Sequence, residues 1–510
     1  METRPSDPSR TLPFTLSDRA ISAIHYGALV AIVVVGAFLR LTALRRQSLW
    51  FDEIDVVVRA QQPLPEVLRT FVASGENGPL YNILLALWVR FAGISEPAVR
   101  FPSAIAGVLA IPLLYLLGRR LAGSTTGLLA AGLLAISPYH VWYSQEAKMY
   151  TMVVVLALVS TLALVEALER NRLVWWVAWV IATSLLFYTH VATVLVFAAQ
   201  VAFALATRRA WRGRERSWLL AVGVLTLPYV PIALWAARVI GGGVVTWMPD
   251  VGLREAVRIF AIKFAVFRYD ADIQDRAALL YAALAVAGLI ALARDRRQRP
   301  WWLMAGLLCV VPVAGLWIVS LRQSVFSDRY GIVALPAYLL LVAAALAWML
   351  RSRFGQPLAI AALALLVAFA WGPLRDVNRS HTAQKEDWRS AYAWIAERAE
   401  PGDVILIHPG YLITTHTYFE QRERRLAELQ VVTIPTFKVL WLDEPLMIQL
   451  IRDQVSDARR FWLIQSPDRV PDEDPDATLE GWLRASGTAS HELRVNGVEV
   501  ALYEFPDALR

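Results

Sequence analysis

One cysteine in 510 residues, Cys309, leaves no partner for an intrachain disulfide and no Cys-x-x-Cys pair for a metal or redox centre. Charge is also scarce, at 18% of residues, and it is nearly absent from the most apolar stretches, where His25 and Arg40 near the ends of the first are the exceptions noted. A small-residue cleavage site is missing as well. Residues 1–21 are polar, with Arg4, Arg10 and Arg19, and the first apolar stretch ends Leu39-Arg40-Leu41. The expectation is an uncleaved first helix, not a removed signal peptide. No internal sequence repeat is visible.

What is present is apolar. The chain is 57% hydrophobic, with a mean hydropathy of +0.46, more than one soluble core can hide. Its continuous apolar runs of about 18–22 residues match the thickness of a bilayer. Within that thickness, helices satisfy their own backbone polar groups. The pattern predicts a polytopic, all-α membrane domain with spans near 22–43, 97–117, 123–140, 150–168, 173–190, 191–207, 217–237, 276–293, 301–321, 329–350 and 357–373. The formal charge of +7 does not point to nucleic acid, because the basic residues cluster in short loops between apolar runs.

Those loops set an orientation. Segment 79–93 is short for a span and is interrupted by Arg90. If it lies along the surface and the N-terminus is cytoplasmic, all the compact Arg clusters face inward. These are Arg119-Arg120, Arg170/Arg172, Arg208–Arg216, Arg294–Arg299 and Arg351/Arg353. The expectation is a multi-pass plasma-membrane protein with 44–96, 140–149 and 238–275 facing outward. Residues 1–373 form the membrane domain and 374–510 a small extracytoplasmic α/β domain. There DVILIHP and RFWLIQSP read as buried strands, EDWRSAYAWIAERA and EPLMIQLIRDQV as helices, and ELRVNGVEVALYEF as a hairpin about Asn-Gly. Beyond Asp403 and His408 this domain has no cluster of its own, and it is expected to be accessory.

Candidate chemistry gathers on the outer side. Asp52 and Glu53 follow Trp50-Phe51 just past a helix exit, where adjacent carboxylates can act as general base and positioning acid. The plainer account is a solvated interfacial helix with a tryptophan anchor. The next outer turn carries Glu146, Lys148 and Tyr150; aromatics there also form interface belts, and Glu146 with Lys148 can be a weak local ion pair. His190 lies where two apolar runs abut, a place where a lone histidine commonly just finishes a helix. Arg329 opens another helix and suits a phosphate, or snorkels to headgroups. Tyr81, in the surface segment, joins the candidates. Three acids, a histidine, a lysine and an arginine from distant segments at one depth suggest a site.

The stretches FLRLTALRRQSLWFDE, GPLYNILLALWVRFAGISEPAVRFPSAIAGVLAIPLLYLLGRRLAG and SPYHVWYSQEAKMY resemble the bacterial branch of the dolichyl-phosphate-mannose protein mannosyltransferases, GT-C glycosyltransferases related to the aminoarabinose transferase of lipid A. The likeness covers about residues 35–210, continues through SDRYGIVALPAYLLL, and includes the start of the outer domain at KEDWRSAYAWIAERAEPGDVILI. It implies transfer of a sugar from a polyprenyl-phosphate carrier to a protein, lipid or glycan acceptor. It implies Asp52 as general base, Glu53 as its acidic partner and Glu146 as the acid of the second loop. Lys148 and Arg329 would hold the donor phosphate. Asn77-Gly78-Pro79 stands where relatives often carry a histidine or second proline, which puts any family histidine or metal role there in doubt. No cofactor is required; a divalent metal is compatible with the chemistry. A transporter or flippase is the alternative, and it predicts ionisable groups near mid-membrane; a membrane scaffold leaves the Trp-Phe-Asp-Glu loop unexplained.

Overall fold

The computed structural model describes residues 18–69, 78–230, 250–268, 271–295, 300–377, 385–435, 444–455 and 457–507. Asn77, Arg296, Arg297 and Arg299 lie outside the described residues, as does the end of the expected 217–237 span.

Within the described residues, helices lie in each of the expected spans. The first is α1 (Asp18–Leu41). After it come α2 (Phe51–Ala60), α3 (Leu64–Arg69), α4 (Leu80–Ala92) and α5 (Glu96–Ala122). The stretch expected to span 123–140 is broken into α6 (Ser124–Ala135) and α7 (Pro138–Ser144), where Pro138 suits the first position of a new helix and Ser137 caps its N-terminus. Then follow α8 (Tyr150–Arg170), α9 (Leu173–Phe187), α10 (Val194–Ala206) and α11 (Glu215–Thr226). Four further helices complete the bundle at Ala271–Arg294, Trp301–Ser320, Leu335–Met349 and Gly355–Val377. By length and apolar composition seven helices among the described residues can cross a membrane, and Leu80–Ala92, Ser124–Ala135, Leu173–Phe187 and Val191–Ala206 are shorter apolar helices.

The helix Leu335–Met349 is the axis of the bundle: it is buried on all sides from Leu335 to Ala347, as an all-round apolar pattern requires. Small residues bring its neighbours close. A Cβ on Gly288 would sit 1.8 Å from the Leu341 carbonyl oxygen, and one on Gly118 2.8 Å from Gly127. Inside the bundle a polar clamp ties α8, α9 and α10. The Gln200 amide oxygen accepts from Trp179 Nε1 (2.8 Å), its nitrogen donates to Ser160 and Thr161 (3.0 and 3.2 Å), and Ser160 meets Thr183 at 2.8 Å.

The C-terminal sheet has the order β2-β1-β3-β5-β4. Strands β1 (Val404–His408), β2 (Gln430–Thr433) and β3 (Arg460–Gln465) are parallel. β4 (Thr488–Val495) and β5 (Val498–Glu504) form the expected antiparallel hairpin, turning at Asn496-Gly497 with Gly497 at φ +67°. Helices Trp388–Arg398 and Glu444–Gln454 flank the sheet where the periodicity placed them. Asp403 closes the start of β1, taking hydrogen bonds from Arg460 (2.8 Å) and Trp462 (2.7 Å).

Gln200→Leu is expected to unclamp three helices at once. It leaves the Trp179 indole N–H without its acceptor and removes the amide donor to Ser160 and Thr161, which keep Thr183 and the Ala157 carbonyl, a loss of roughly 1–2 kcal/mol. A thermal melt in detergent checks this; an unchanged midpoint would remove the clamp from the account of the bundle.

Candidate functional site

An α-helix turns about 100° per residue, so adjacent residues cannot share a face. Asp52 and Glu53, in the first turn of α2, therefore point into different surroundings. Carboxylates are welcome at this helix end.

Glu53 points inward and is fully buried. Its Oε1 accepts from Arg100 Nε and from the Ala147 backbone N–H, both at 2.8 Å. Its Oε2 accepts from Arg100 Nη2 (2.6 Å) and Lys385 Nζ (3.1 Å). Arg100, itself 1% exposed, spends its remaining N–H groups on the carbonyls of Leu44, Gln47 and Ser48, at 2.7–2.8 Å. All five guanidinium donors are thus used. Burial would raise the Glu53 carboxyl, but Arg100 and Lys385 hold it down at about 2.

Lys385 sits just ahead of the C-terminal helix Trp388–Arg398 and reaches back to the membrane domain. Besides Glu53, its ammonium meets Glu146 Oε1 and the Gln145 carbonyl, both at 3.4 Å, and lies 5.0 Å from the Trp142 ring. Glu146 is buried, and its Oε2 has no hydrogen-bond partner. Burial raises the Glu146 carboxyl above its ordinary range against the pull of Lys385.

Asp52 points outward, 26% exposed, and takes a 2.7 Å ion pair from Arg329 Nη1 on Oδ2. Burial alone would raise its carboxyl, but Lys148, Arg329 and Arg469 hold it below the ordinary range. Arg329 is carried by the 3-10 stretch Asp328–Ala334, a tighter winding that precedes Leu335–Met349. Its guanidinium also lies 5.6 Å from the Trp50 ring.

Beside these groups opens a cavity of about 250 Å³, walled by Trp50, Trp142, Tyr143 and Phe267 and edged by Glu146, Lys263, Arg268, Asp328, Arg329, Lys385 and Glu386. Lys263 pairs with Asp328 at 3.1 Å. Arg268 stacks over Phe267 and Trp142, at 5.2 and 5.4 Å, and has no carboxylate partner among the described residues.

The remaining candidates lie around this centre. Lys148 is half-buried and acts electrostatically on Asp52 and His190. His190 Nδ1 accepts from the Ala192 N–H at 3.1 Å, so the ring caps the short turn Val191–Thr193, and it packs 4.6 Å from the Tyr330 ring. Tyr150 is buried against Tyr143, with ring centres 5.0 Å apart. Tyr81 is buried too; its hydroxyl meets Ser103, which donates to the Lys148 carbonyl, so it braces α4 and the 145–149 turn from behind.

Several residues of the site escaped the sequence reading, among them Arg100, Arg268, Lys385 and Glu386. Arg100 lies inside the span expected at 97–117, which corrects the expectation that the spans are almost free of charge. An ionisable residue inside an apolar run was the available signal. Lys385 carried none, since one lysine in a polar segment says nothing of where the chain folds back.

Arg100→Met is expected to leave Glu53 buried without its main partner, a destabilisation of about 3–5 kcal/mol. Glu53→Leu/Arg100→Met should recover most of the melting temperature. Because the folded Glu53 carboxyl is depressed, its stabilisation is full above the ordinary carboxylate range and is lost as pH falls toward 2. The single variant should show less of this acid sensitivity; a melt equal to that of the parent at neutral pH would contradict the account.

Residues 76–235 match the dolichyl-phosphate-mannose-protein mannosyltransferase family. No curated protein matches the chain. Among solved structures, ArnT from Cupriavidus metallidurans in the apo state is 14% identical, with 94% of this chain and 98% of ArnT covered at a TM-score of 0.58. The same protein bound to undecaprenyl phosphate is 14% identical, with 93% and 98% covered at 0.54. The Archaeoglobus fulgidus oligosaccharyltransferase tethered to an acceptor peptide is 11% identical, with 96% of this chain and 74% of that one covered at 0.55. The chain is therefore a membrane protein of the GT-C glycosyltransferase fold, and its residues 76–235 carry the dolichyl-phosphate-mannose-protein mannosyltransferase signature.

Proposed function

We propose that this protein transfers a hexosyl or pentosyl group from a polyprenyl-phosphate carrier to a hydroxyl of a protein, lipid or glycan acceptor, with Asp52 as general base. The observation that carries the reading is Asp52 itself. It is an ionised carboxylate with one oxygen held by Arg329 and no hydrogen bond to Oδ1 among the described residues, and Arg329 edges a cavity of aromatic walls whose rim carries four cations and three carboxylates.

The chemistry follows from these groups. Asp52 Oδ1 accepts the proton of the acceptor hydroxyl as that oxygen bonds to the sugar C1. The bond from C1 to the phosphate oxygen breaks, and the polyprenyl phosphate leaves with the electron pair. Its negative charge needs preorganised cations in a site poor in water. Arg268 and Lys148 have no ion-pair partner among the described residues and suit that role, while Arg329 is committed to keeping Asp52 ionised and aimed. Glu146, with its raised carboxyl and unpartnered Oε2, suits a substrate hydroxyl. Glu53, with every oxygen engaged, is a positioning residue in this scheme. The cavity is smaller than the roughly 300–1,000 Å³ of sites for drug-sized ligands, which suits a single sugar ring between Trp142, Phe267 and Trp50. The undecaprenyl phosphate and acceptor peptide bound by the two structural relatives agree with such a pair of substrates.

The proposal places this site on the extracytoplasmic face of the plasma membrane. Supporting it, Arg119-Arg120 and Arg170 lie at the ends of α5 and α8 opposite Arg100 and Tyr150. The gathering of buried charge at one end of the bundle favours an enzyme over a transporter, which needs it near the middle.

Asp52→Asn should reduce transfer by about 10²–10⁴-fold with donor binding retained, whereas Arg268→Ala should raise the apparent KM for donor about tenfold or more. Transfer of label from a polyprenyl-phosphate sugar by detergent-purified protein measures both. A folded Asp52→Asn protein with near-normal turnover would end the mechanism. Reporter fusions after Ser124 and after Leu374 are expected on opposite sides of the membrane; the same side for both would overturn the orientation.

A further inference from the structure

The paired acids of the site raise the question of a metal ion, and the residues present do not suit one. A carboxylate offers about four lone-pair positions. All four of Glu53 are filled, two by Arg100 and one each by Ala147 and Lys385. Charge is already matched, with Arg100 and Lys385 against Glu53 and Glu146. Hard divalent cations want six or more oxygen ligands, yet among the described residues no group of three or more His, Cys, Asp or Glu side chains could hold an ion. What lies between Glu53 and Glu146 is an ammonium, at 3.1 and 3.4 Å, its third contact the Gln145 carbonyl.

We propose that Lys385 is the resident cation of this site, occupying the place between Glu53 and Glu146 that a divalent metal would otherwise take, and that the C-terminal domain delivers it. Its catalytic consequence rests on the glycosyltransferase reading; its cation-binding consequence does not.

The delivery is built into the fold. Lys385, Glu386 and Asp387 form an arm gripped by the sheet domain. The Asn496 side chain donates to the Lys385 carbonyl (2.8 Å), and the Asp387 N–H donates to the Asn496 carbonyl (2.8 Å). A Cβ on Gly497 would come within 2.9 Å of Glu386, so the hairpin tip is pressed against the arm. Arg469, just past β3, holds Glu386 Oε1 at 2.5 Å. Glu386 Oε2 in turn accepts from the Phe51 N–H (2.9 Å), one of the open donors at the start of α2. One dipeptide thus fixes the acid pair through Lys385 and the start of the Asp52 helix through Glu386. Lys385 is a positioning residue, acting through Glu53, Glu146 and the frame of α2.

The test uses the full chain in detergent, stripped with EDTA, with Mn²⁺ binding followed by electron paramagnetic resonance and sugar transfer assayed in parallel. The parent protein is expected to transfer at an unchanged rate after stripping and to bind no Mn²⁺ at the site. Lys385→Met should lower transfer roughly 10–100-fold, the range for partners that orient a site's ligands from behind, and Lys385→Arg should keep more of it. Lys385→Ala, which opens the space between the two carboxylates, should acquire Mn²⁺ binding and regain part of its transfer when Mn²⁺ is added. Stoichiometric Mn²⁺ binding by the parent, or loss of its transfer on stripping with recovery on adding Mn²⁺, would overturn the proposal. So would a Lys385→Met protein as active as the parent. If the variants fail to fold, the parent's two measurements still decide. If no form transfers sugar, the glycosyltransferase reading falls while the Mn²⁺ titration of the parent still judges the cation.

Discussion

Four charged side chains meet out of water where the membrane helices give way to the C-terminal domain: Glu53 from α2, Arg100 from α5, Glu146 from the turn before α8, and Lys385 from the C-terminal arm. Desolvating any one of them alone would cost several kcal/mol, and only mutual pairing with complete hydrogen bonding offsets that penalty. The donors and acceptors are accordingly matched almost to the last lone pair. Because the four come from four distant segments, none of those segments can shift without exposing an unpaired charge. The position of α2, and with it the direction of Asp52, follows from this constraint.

The same geometry separates three carboxylates by environment. Glu53, beside two cations, is depressed to about 2. Asp52 is also lowered, but it stays partly exposed, and its partner Arg329 edges the cavity. Glu146, more buried and with a weaker hold on Lys385, is raised. Sites that run proton chemistry are commonly built from acids pushed apart in this way. Here the separation comes from which cations each carboxylate meets and how far it is buried.

Elsewhere the membrane bundle relies on ordinary means. Glycines at α5–α6 and opposite Leu341 let backbones approach, and Gln200 clamps three helices. None of this needs the C-terminal domain, whereas the site does. Its C-terminal domain was expected to be accessory, yet it contributes Lys385 and Glu386 to the cavity wall.

Period and composition determined a great deal without a structure. Continuous apolar runs located the helices, short buried apolar runs located β1 and β3 but not β2, Asn-Gly located the hairpin, and the Trp-Phe-Asp-Glu loop marked where the chemistry gathers. These are local signals, set by backbone periodicity and the cost of exposing apolar surface, so they survive in one dimension. The break at Pro138 was not legible from the proline alone, since Pro102, Pro112 and Pro312 sit inside unbroken helices. What the tertiary structure alone decided was pairing. Asp52 and Glu53 are neighbours of like type in the sequence, and only the 100° turn between them, with Arg329 on one side and Arg100 and Lys385 on the other, makes one a candidate base and the other a strut. Arg329 changes from a free phosphate ligand to the partner of Asp52 for the same reason. Lys385 stands 332 residues from Glu53, and nothing in a linear pattern encodes which buried acid a distant lysine will neutralise.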